Sequence, residues 1–311
     1  DIQQQSVYSN LLFNSIIGDT RNKFKTGLSF THDSFDEFVN TNDFVRKETS
    51  VGAFFEYTFD NLDDFSFVAG LRADSHNLLG NFITPRLHLR YNPWEDGVIK
   101  ASFGRGKRSA NIFAENQQLF ASSRQINIEN NNGKIYGLNP EIAWNYGISY
   151  LQKFNIFNQK GDVTFDYYRT DFSNQVVVDW ENPQAISFYN LDGKSFANSF
   201  QVEVNYTLAT NLELRTAYKY FDISTTYKSG DLQKPIQPQH RFFANLSYET
   251  ELENEKQWRF DVTYNAIGKQ RLPDTGSNPV QYQLPVFAAP YQLLNSQITK
   301  VFSDRFEMYV G

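Results

Sequence analysis

Basic side chains lie on one face of three consecutive predicted strands, and they are the groups in this sequence best suited to bind an anion. A guanidinium holds a carboxylate or a phosphate through two parallel hydrogen bonds. The cluster therefore predicts either a track for an anionic ligand or a docking surface for an acidic neighbouring domain, and we favour docking. Its members are Arg72, Arg86, His88, Arg90 and Lys100.

Aromatic side chains in otherwise polar loop sequence form a second candidate site. Exposed aromatic rings often bind the flat or apolar part of a ligand. The same rings can instead pack the loops against one another, and the sequence favours neither alternative. The basic segment GRGKR (104–108) begins the same region and could attract an anionic ligand or simply face solvent. The predicted ligand-binding residues are Arg108, Phe113, Phe120, Tyr136 and Trp180.

Residue spacing gives little support to other chemistry. GRGKR lacks the spacing of a nucleotide-binding phosphate loop, and we expect it to open a long loop at 105–140. His32, His76 and His240 fall near one rim of the predicted sheet but on distant strands, whereas a metal site needs converging ligands. No paired motif supports a Ser/His/Asn hydrolase. We therefore predict no metal, no cofactor and no enzymatic activity.

Strict alternation of apolar and polar residues predicts the elements that position these side chains. In FQVEVNYTL (200–208), apolar residues at even positions alternate with polar residues at odd positions. Alternation of this length indicates strands with one apolar and one polar face. Similar runs predict about fourteen strands, at roughly 5–17, 22–34, 48–59, 65–76, 84–91, 98–104, 141–156, 162–180, 195–208, 212–226, 239–250, 256–268, 290–301 and 305–311.

The connections between these strands alternate in length. Short turns, such as 18–21, 61–64 and 157–161, alternate with longer polar loops, the largest at 105–140 and 269–289. Antiparallel strands with short turns at one rim and long loops at the other are typical of an outer-membrane barrel. A soluble all-β fold is the alternative, but such folds rarely sort their connections by length so regularly. We predict an all-β fold, an antiparallel transmembrane β-barrel.

Composition agrees with a barrel that meets lipid outside and water inside. The 311 residues include no Cys, 16% are aromatic, and the mean hydropathy is −0.53. No run of about 18 apolar residues is present, which excludes a helical membrane span. The net charge of −6 disfavours nucleic acid as a partner, because phosphate binding needs a basic surface.

Four segments carry a family resemblance. They are TPRLHLRYNPWEDGVIKASFGRGKRSANIFAEN (84–116), LNPEIAWNYGISY (138–150), KPIQPQHRFFANLSYET (234–250) and QLLNSQITKVFSDRFEMYVG (292–311). In this order they resemble the barrel strands of TonB-dependent outer-membrane receptors, particularly those of the Bacteroidetes. The resemblance covers most of residues 84–311 and is weak over 1–83.

The resemblance implies a 22-stranded barrel filled by an N-terminal plug domain. Residues 1–311 would then be a partial barrel domain of about fourteen strands, with the plug and the last strand outside this chain. We expect a piece of a longer protein, since the sequence starts without a signal peptide and stops within a strand-like pattern. The basic face would dock the plug.

The function implied is import of a scarce nutrient such as a ferric siderophore, haem or cobalamin, across the outer membrane of a Gram-negative bacterium. Extracellular loops would capture this small molecule, and the plug would gate its passage by contact with the TonB complex. Outer-membrane lipid and lipopolysaccharide are further expected partners. Two alternatives stay open: a passive porin-like channel, and a barrel that serves as a scaffold for surface lipoproteins or a larger assembly.

Overall fold

A computed structural model describes residues 1–39 and 42–311, which form strands over most of their length. In chain order the strands are β1 (Ile2–Ile17), β2 (Asp19–Val39), β3 (Asn42–Asp60), β4 (Phe65–His76), β5 (Gly80–Trp94), β6 (Gly97–Arg108), β7 (Gln125–Ile128), β8 (Glu141–Ile156), β9 (Gln159–Asn174), β10 (Val176–Asp179), β11 (Ala185–Asn190), β12 (Ser195–Ala209), β13 (Leu212–Tyr227), β14 (Gly230–Gln233), β15 (His240–Glu249), β16 (Gln257–Ile267), β17 (Gln270–Arg271), β18 (Phe287–Ala288), β19 (Tyr291–Ser303) and β20 (Phe306–Val310). Short 3-10 turns occur at Ala114–Leu119 and Val280–Tyr282.

One large antiparallel sheet contains the long strands in the order β1-β2-β3-β4-β5-β6-β8-β9-β12-β13-β15-β16-β19-β20, with β14 paired to β13. Each of the predicted strands corresponds to one of these fourteen, so the all-β antiparallel prediction is confirmed. Two smaller sheets, β10-β11-β7 and β17-β18, form within the long connections. In the part of the chain that the structure describes, no helix has the length and apolar character needed to cross a membrane.

Several predicted boundaries differ from the structure. The strands predicted at 22–34 and 48–59 are longer, as β2 and β3, because they stay paired with each other toward the loop rim. Two other differences concern the candidate site. The strand predicted at 162–180 ends at Asn174, because the chain leaves the large sheet there: the Val176 amide donates to the Glu141 carboxylate at 3.1 Å, and β10 pairs with β11. The loop predicted to open at 105 begins only after Arg108, because β6 stays paired with β8 as far as the Arg108–Glu141 pair. Trp180 therefore follows a loop strand and does not end a strand of the large sheet.

The apolar faces of the long strands lie together on one side of the sheet, the side that lipid would meet. Aromatic side chains there form contacts at two levels. Near the short turns, Phe59 and Phe67 lie 5.7 Å apart between ring centroids, and near the long loops Phe103 stacks on Trp144 at 5.1 Å. Rings at both edges of an apolar band are the aromatic girdles of membrane barrels.

The short turns match the twist of the strands that they join. Phe157 and Asn158, between β8 and β9, both have positive φ values, 53° and 61°. Two consecutive left-handed residues make the turn that suits the right-handed twist of a hairpin. The long connections all emerge at the opposite rim, so their side chains can meet there.

Candidate functional site

The long loops fold over the rim as a packed unit with its own apolar core. β7, β10 and β11 pair into a small sheet, with β7 and β11 parallel, so that segments 109–140 and 175–194 become one structure. Phe188 at its centre has no exposed surface, and Ile112 and Phe113 each expose 1%. The core of this loop unit consists of Ala110, Ile112, Phe113, Leu119, Leu138, Val176, Ile186 and Phe188.

The four aromatic residues predicted to bind a ligand all lie at this core. The ring of Phe113 is 5.5 Å from that of Phe120 and 5.3 Å from that of Tyr136, measured between centroids. Phe120 also stacks on Phe188 at 6.2 Å, and Trp180 packs against the same cluster. Phe113 is thus a packing residue, while Phe120, Tyr136 and Trp180 keep part of their surface exposed.

Arg108 anchors the start of the loop unit to the large sheet. Its Nε donates to Glu141 Oε2 at 2.8 Å, and its two terminal nitrogens donate to the Glu115 carboxylate at 2.8 and 3.0 Å. The other oxygen of Glu141 accepts the Val176 amide. Arg108 therefore joins β6, β8 and the 3-10 turn through two carboxylates while 60% of its side chain stays exposed.

A buried ionic network, which the sequence did not indicate, holds the loop unit against the β2–β3 hairpin. Arg46 donates to Glu37 at 2.5 Å and to Glu48 at 2.8 Å, and it also donates to Asn111 in the loop. The Tyr136 hydroxyl donates to Glu37, whose side chain has no exposed surface. Burial, followed by the hydrogen bond to Glu37, raises the pKa of Tyr136 above its ordinary range.

A second ion pair, also missed from the sequence, joins segment 175–194 of the loop unit to two further loop segments. Arg271 donates to both oxygens of Glu181, at 2.6 and 2.8 Å, and its Nε donates to the Gln233 carbonyl at 2.6 Å. The Asp274 amide donates to Glu181 at 3.0 Å. Burial raises the pKa of neighbouring Tyr227 to about 12, although the nearby Arg271 charge opposes this. Only 8% and 7% of the Arg271 and Glu181 side chains are exposed.

The basic cluster lies on the polar face of β4, β5 and β6. The pairing register places Arg86 beside Gly104 and Arg90 beside Lys100. Arg72 is neutralised by Asp74, with Nη2 and Oδ1 2.6 Å apart, and Arg86 pairs with Glu56. His88, Arg90 and Lys100 line a cavity of about 430 Å³, and Arg72 and Arg86 line another of about 600 Å³.

The histidines have separate local partners. His32 Nδ1 lies 2.8 Å from the Thr49 hydroxyl, His76 Nε2 lies 3.4 Å from Glu48, and His240 Nδ1 lies 2.7 Å from the Tyr218 hydroxyl. Within residues 1–39 and 42–311, the structure has no group of three or more His, Asp or Glu side chains placed to hold a metal ion. GRGKR continues β6 as a paired strand.

A family profile decides the classification, because the profile described as "TonB dependent receptor-like, beta-barrel" matches residues 2–311. The chain belongs to this family. TonB-dependent receptor barrels are outer-membrane proteins of Gram-negative bacteria, and the family consists of receptors and transporters rather than enzymes. No curated protein matches the chain.

Solved receptors share the fold at low sequence identity. A mutant ferric enterobactin receptor of Pseudomonas aeruginosa is 14% identical, with a TM-score of 0.72 over 99% of this chain and 48% of that one. The siderophore receptor PirA of Acinetobacter baumannii is 13% identical, with a TM-score of 0.69 over 97% and 49%. FpvAI in complex with pyocin S2 is 14% identical, with a TM-score of 0.65 over 97% and 42%. The chain spans about half the length of these TonB-dependent receptors.

Proposed function

We propose that the protein containing this chain imports a scarce nutrient by TonB-dependent, plug-gated transport, with a ferric siderophore as the first candidate. The loop unit supports this proposal, because it is a folded and ion-paired cap at the rim where an extracellular ligand would arrive. Receptors of similar fold include a ferric enterobactin receptor and a siderophore receptor. Haem and cobalamin are the other candidates.

Phe120, Trp180 and Arg108 are the residues of the cap that we propose contact the ligand. Phe120 and Trp180 combine a fixed position on the loop core with partly exposed rings. Arg108 keeps most of its side chain in solvent, and a ligand carboxylate or phosphate would have to compete there with its two carboxylate partners, Glu115 and Glu141. Phe113 and Tyr136 would act indirectly, by holding the rings in place.

The basic face of β4–β6 is proposed as the seat of the plug. Arg72 and Arg86 already have carboxylate partners, whereas Lys100 and Arg90 stand side by side across the strands and repel each other. An acidic surface of the plug would relieve this repulsion. In the proposed mechanism, release of the plug by TonB then opens the path along the same wall.

The test is uptake by iron-limited cells that express the complete receptor, with and without TonB. We expect accumulation of a radiolabelled ferric siderophore that disappears when either protein is deleted. Uptake that persists without TonB would instead favour a passive channel. In the purified receptor, Phe120→Ala and Trp180→Ala should weaken ligand binding, whereas Phe157→Ala, in a short turn at the other rim, should leave it unchanged.

A further inference from the structure

The loop unit packs against the tight turn between β4 and β5, at residues 77–79. Leu78 and Leu79 of this turn line a narrow gap together with Leu138 of the loop unit. Lys134 Nζ, also in the loop unit, donates to the Asn77 carbonyl at 3.3 Å. The shape of the turn therefore determines where this side of the loop unit lies.

His76, the last residue of β4, holds the turn closed through one ring nitrogen. Its Nδ1 accepts hydrogen bonds from the backbone amides of Leu78, at 3.2 Å, and of Leu79, at 3.1 Å. A ring nitrogen that accepts carries no proton, so the ring is the neutral tautomer with its proton on Nε2. Nε2 lies 3.4 Å from the Glu48 carboxylate. The closed turn therefore requires an uncharged His76.

Protonation of His76 would remove both bonds to the turn. A charged imidazole carries N–H groups on both nitrogens, so Nδ1 would face the two amide hydrogens as a third donor. Charge acts in the same direction, because Lys107 and Lys134 already place ammonium groups on carbonyl oxygens of this turn. The ring must therefore leave the turn before Nδ1 can take up a proton.

The surroundings of His76 determine when this happens. The side chain is 10% exposed and lies at the long-loop rim, beside the polar outward-facing residues Ser75 and Asn81. Burial lowers the pKa of His76 below its ordinary value. Three carboxylates oppose this effect by favouring the charged ring, and they are Glu48, Asp74 and Asp33. Arg46 is paired with the first of them and Arg72 with the second. The stabilisation from the closed turn is thus present above about pH 6.5 and is lost as pH falls.

We propose that His76 is an acid-sensitive latch for the loop unit, which holds the β4–β5 turn closed at neutral pH and releases it in mildly acidic surroundings. The start of the loop unit shares this latch, because the Ser109 hydroxyl donates at 2.9 Å to the same Glu48 oxygen that faces His76. The ordered cap is then the neutral-pH form of the receptor mouth. This inference concerns the loop unit alone and holds whichever nutrient the receptor imports.

Hydrogen exchange of the complete receptor at about pH 7 and about pH 5.5 tests the latch, with each rate divided by the intrinsic exchange rate at the same pH. A proton that binds only the open turn, with the ordinary His pKa of about 6.5, shifts the opening equilibrium roughly eightfold between these pH values. We therefore expect the protection of residues 77–80 and 133–139 to fall by about that factor at the lower pH.

Two variants separate the charge of His76 from its hydrogen bonds. His76→Asn cannot titrate but keeps an acceptor for the turn, because an Asn side chain commonly accepts backbone amides that follow it, as Asn61 does from Asp63 at 3.0 Å. Its protection should be the same at both pH values and close to that of the wild type at neutral pH. His76→Ala removes the acceptor and should lower protection equally at both pH values.

The matched control is His240→Asn, which replaces another histidine of the long-loop rim, on the distant strand β15. It should keep the wild-type response to pH. Equal protection of the wild type at both pH values would overturn the proposal. An undiminished fall in His76→Asn would also overturn it, because the response would then belong to one of the surrounding carboxylates.

Discussion

Breaking the Arg271–Glu181 pair should loosen three loop segments together. The variant Arg271→Met keeps the volume and apolar packing of the side chain but leaves the Glu181 carboxylate buried without its cation. Both side chains are more than nine-tenths buried, so the energetics of buried pairs apply, and loss of one partner costs about 3–5 kcal/mol. The three segments that the pair joins are 175–194, 228–239 and 268–290.

Hydrogen exchange of the complete receptor, followed by mass spectrometry, measures this loosening. If the cost falls on local opening, amide exchange in the three segments should accelerate by about two to four orders of magnitude. The double variant Glu181→Leu/Arg271→Met should exchange nearly as slowly as the wild type, because it leaves no uncompensated buried charge. Amides of the long barrel strands should not change.

The matched control is Arg305→Met, which removes an arginine from an exposed pair with Asp304. Exposed pairs contribute little, so exchange near residue 305 should stay close to that of the wild type. The reasoning would be refuted if Arg271→Met left loop exchange within twofold of the wild type, or if the single and double variants behaved alike.

Three further predictions concern the loop unit. Phe188→Ala removes a fully buried ring, so it should destabilise the loop unit by about 3–5 kcal/mol. The aromatic circular dichroism signal should change while the strand signal persists. An intact aromatic signal would contradict this prediction. Tyr136→Phe deletes a hydrogen bond to the buried Glu37 carboxylate and should destabilise the loop unit by about 1–3 kcal/mol. Proteolysis within 109–140 should become faster. The control variant Tyr282→Phe, on an exposed loop, should have no effect. Because the pKa of Tyr227 is raised in the folded state, its contribution to stability is present at neutral pH and should be lost as pH rises from about 10 to about 12. Tyr227→Phe should abolish that part of the pH dependence of unfolding. The same pH dependence in the variant and the wild type would count against this prediction.

Much of the fold follows from local pattern. Alternation such as that of 200–208 defines strand β12 and its two faces, because successive side chains of a strand point to opposite sides. Turn residues then fix the hairpins, as Phe157 and Asn158 do between β8 and β9. The prediction failed at Val176, where the apolar sequence continues but the Glu141 carboxylate takes the amide and the chain turns into the loop sheet.

Residue types in the sequence thus determined the strand order, the orientation of the apolar faces and the family, all of which depend on neighbours along the chain. The tertiary structure alone decided how the loops meet. Glu181 and Arg271 are 90 residues apart, and Tyr136 and Glu37 are 99 apart, so no local period links either pair. The tertiary structure also decided how much of each predicted aromatic side chain is exposed. Phe113 and Phe120 both lie in polar sequence, yet Phe113 is buried and Phe120 is partly exposed, and the local sequence does not distinguish them. Exposure depends on which segments fold over a residue, and those segments are distant in sequence.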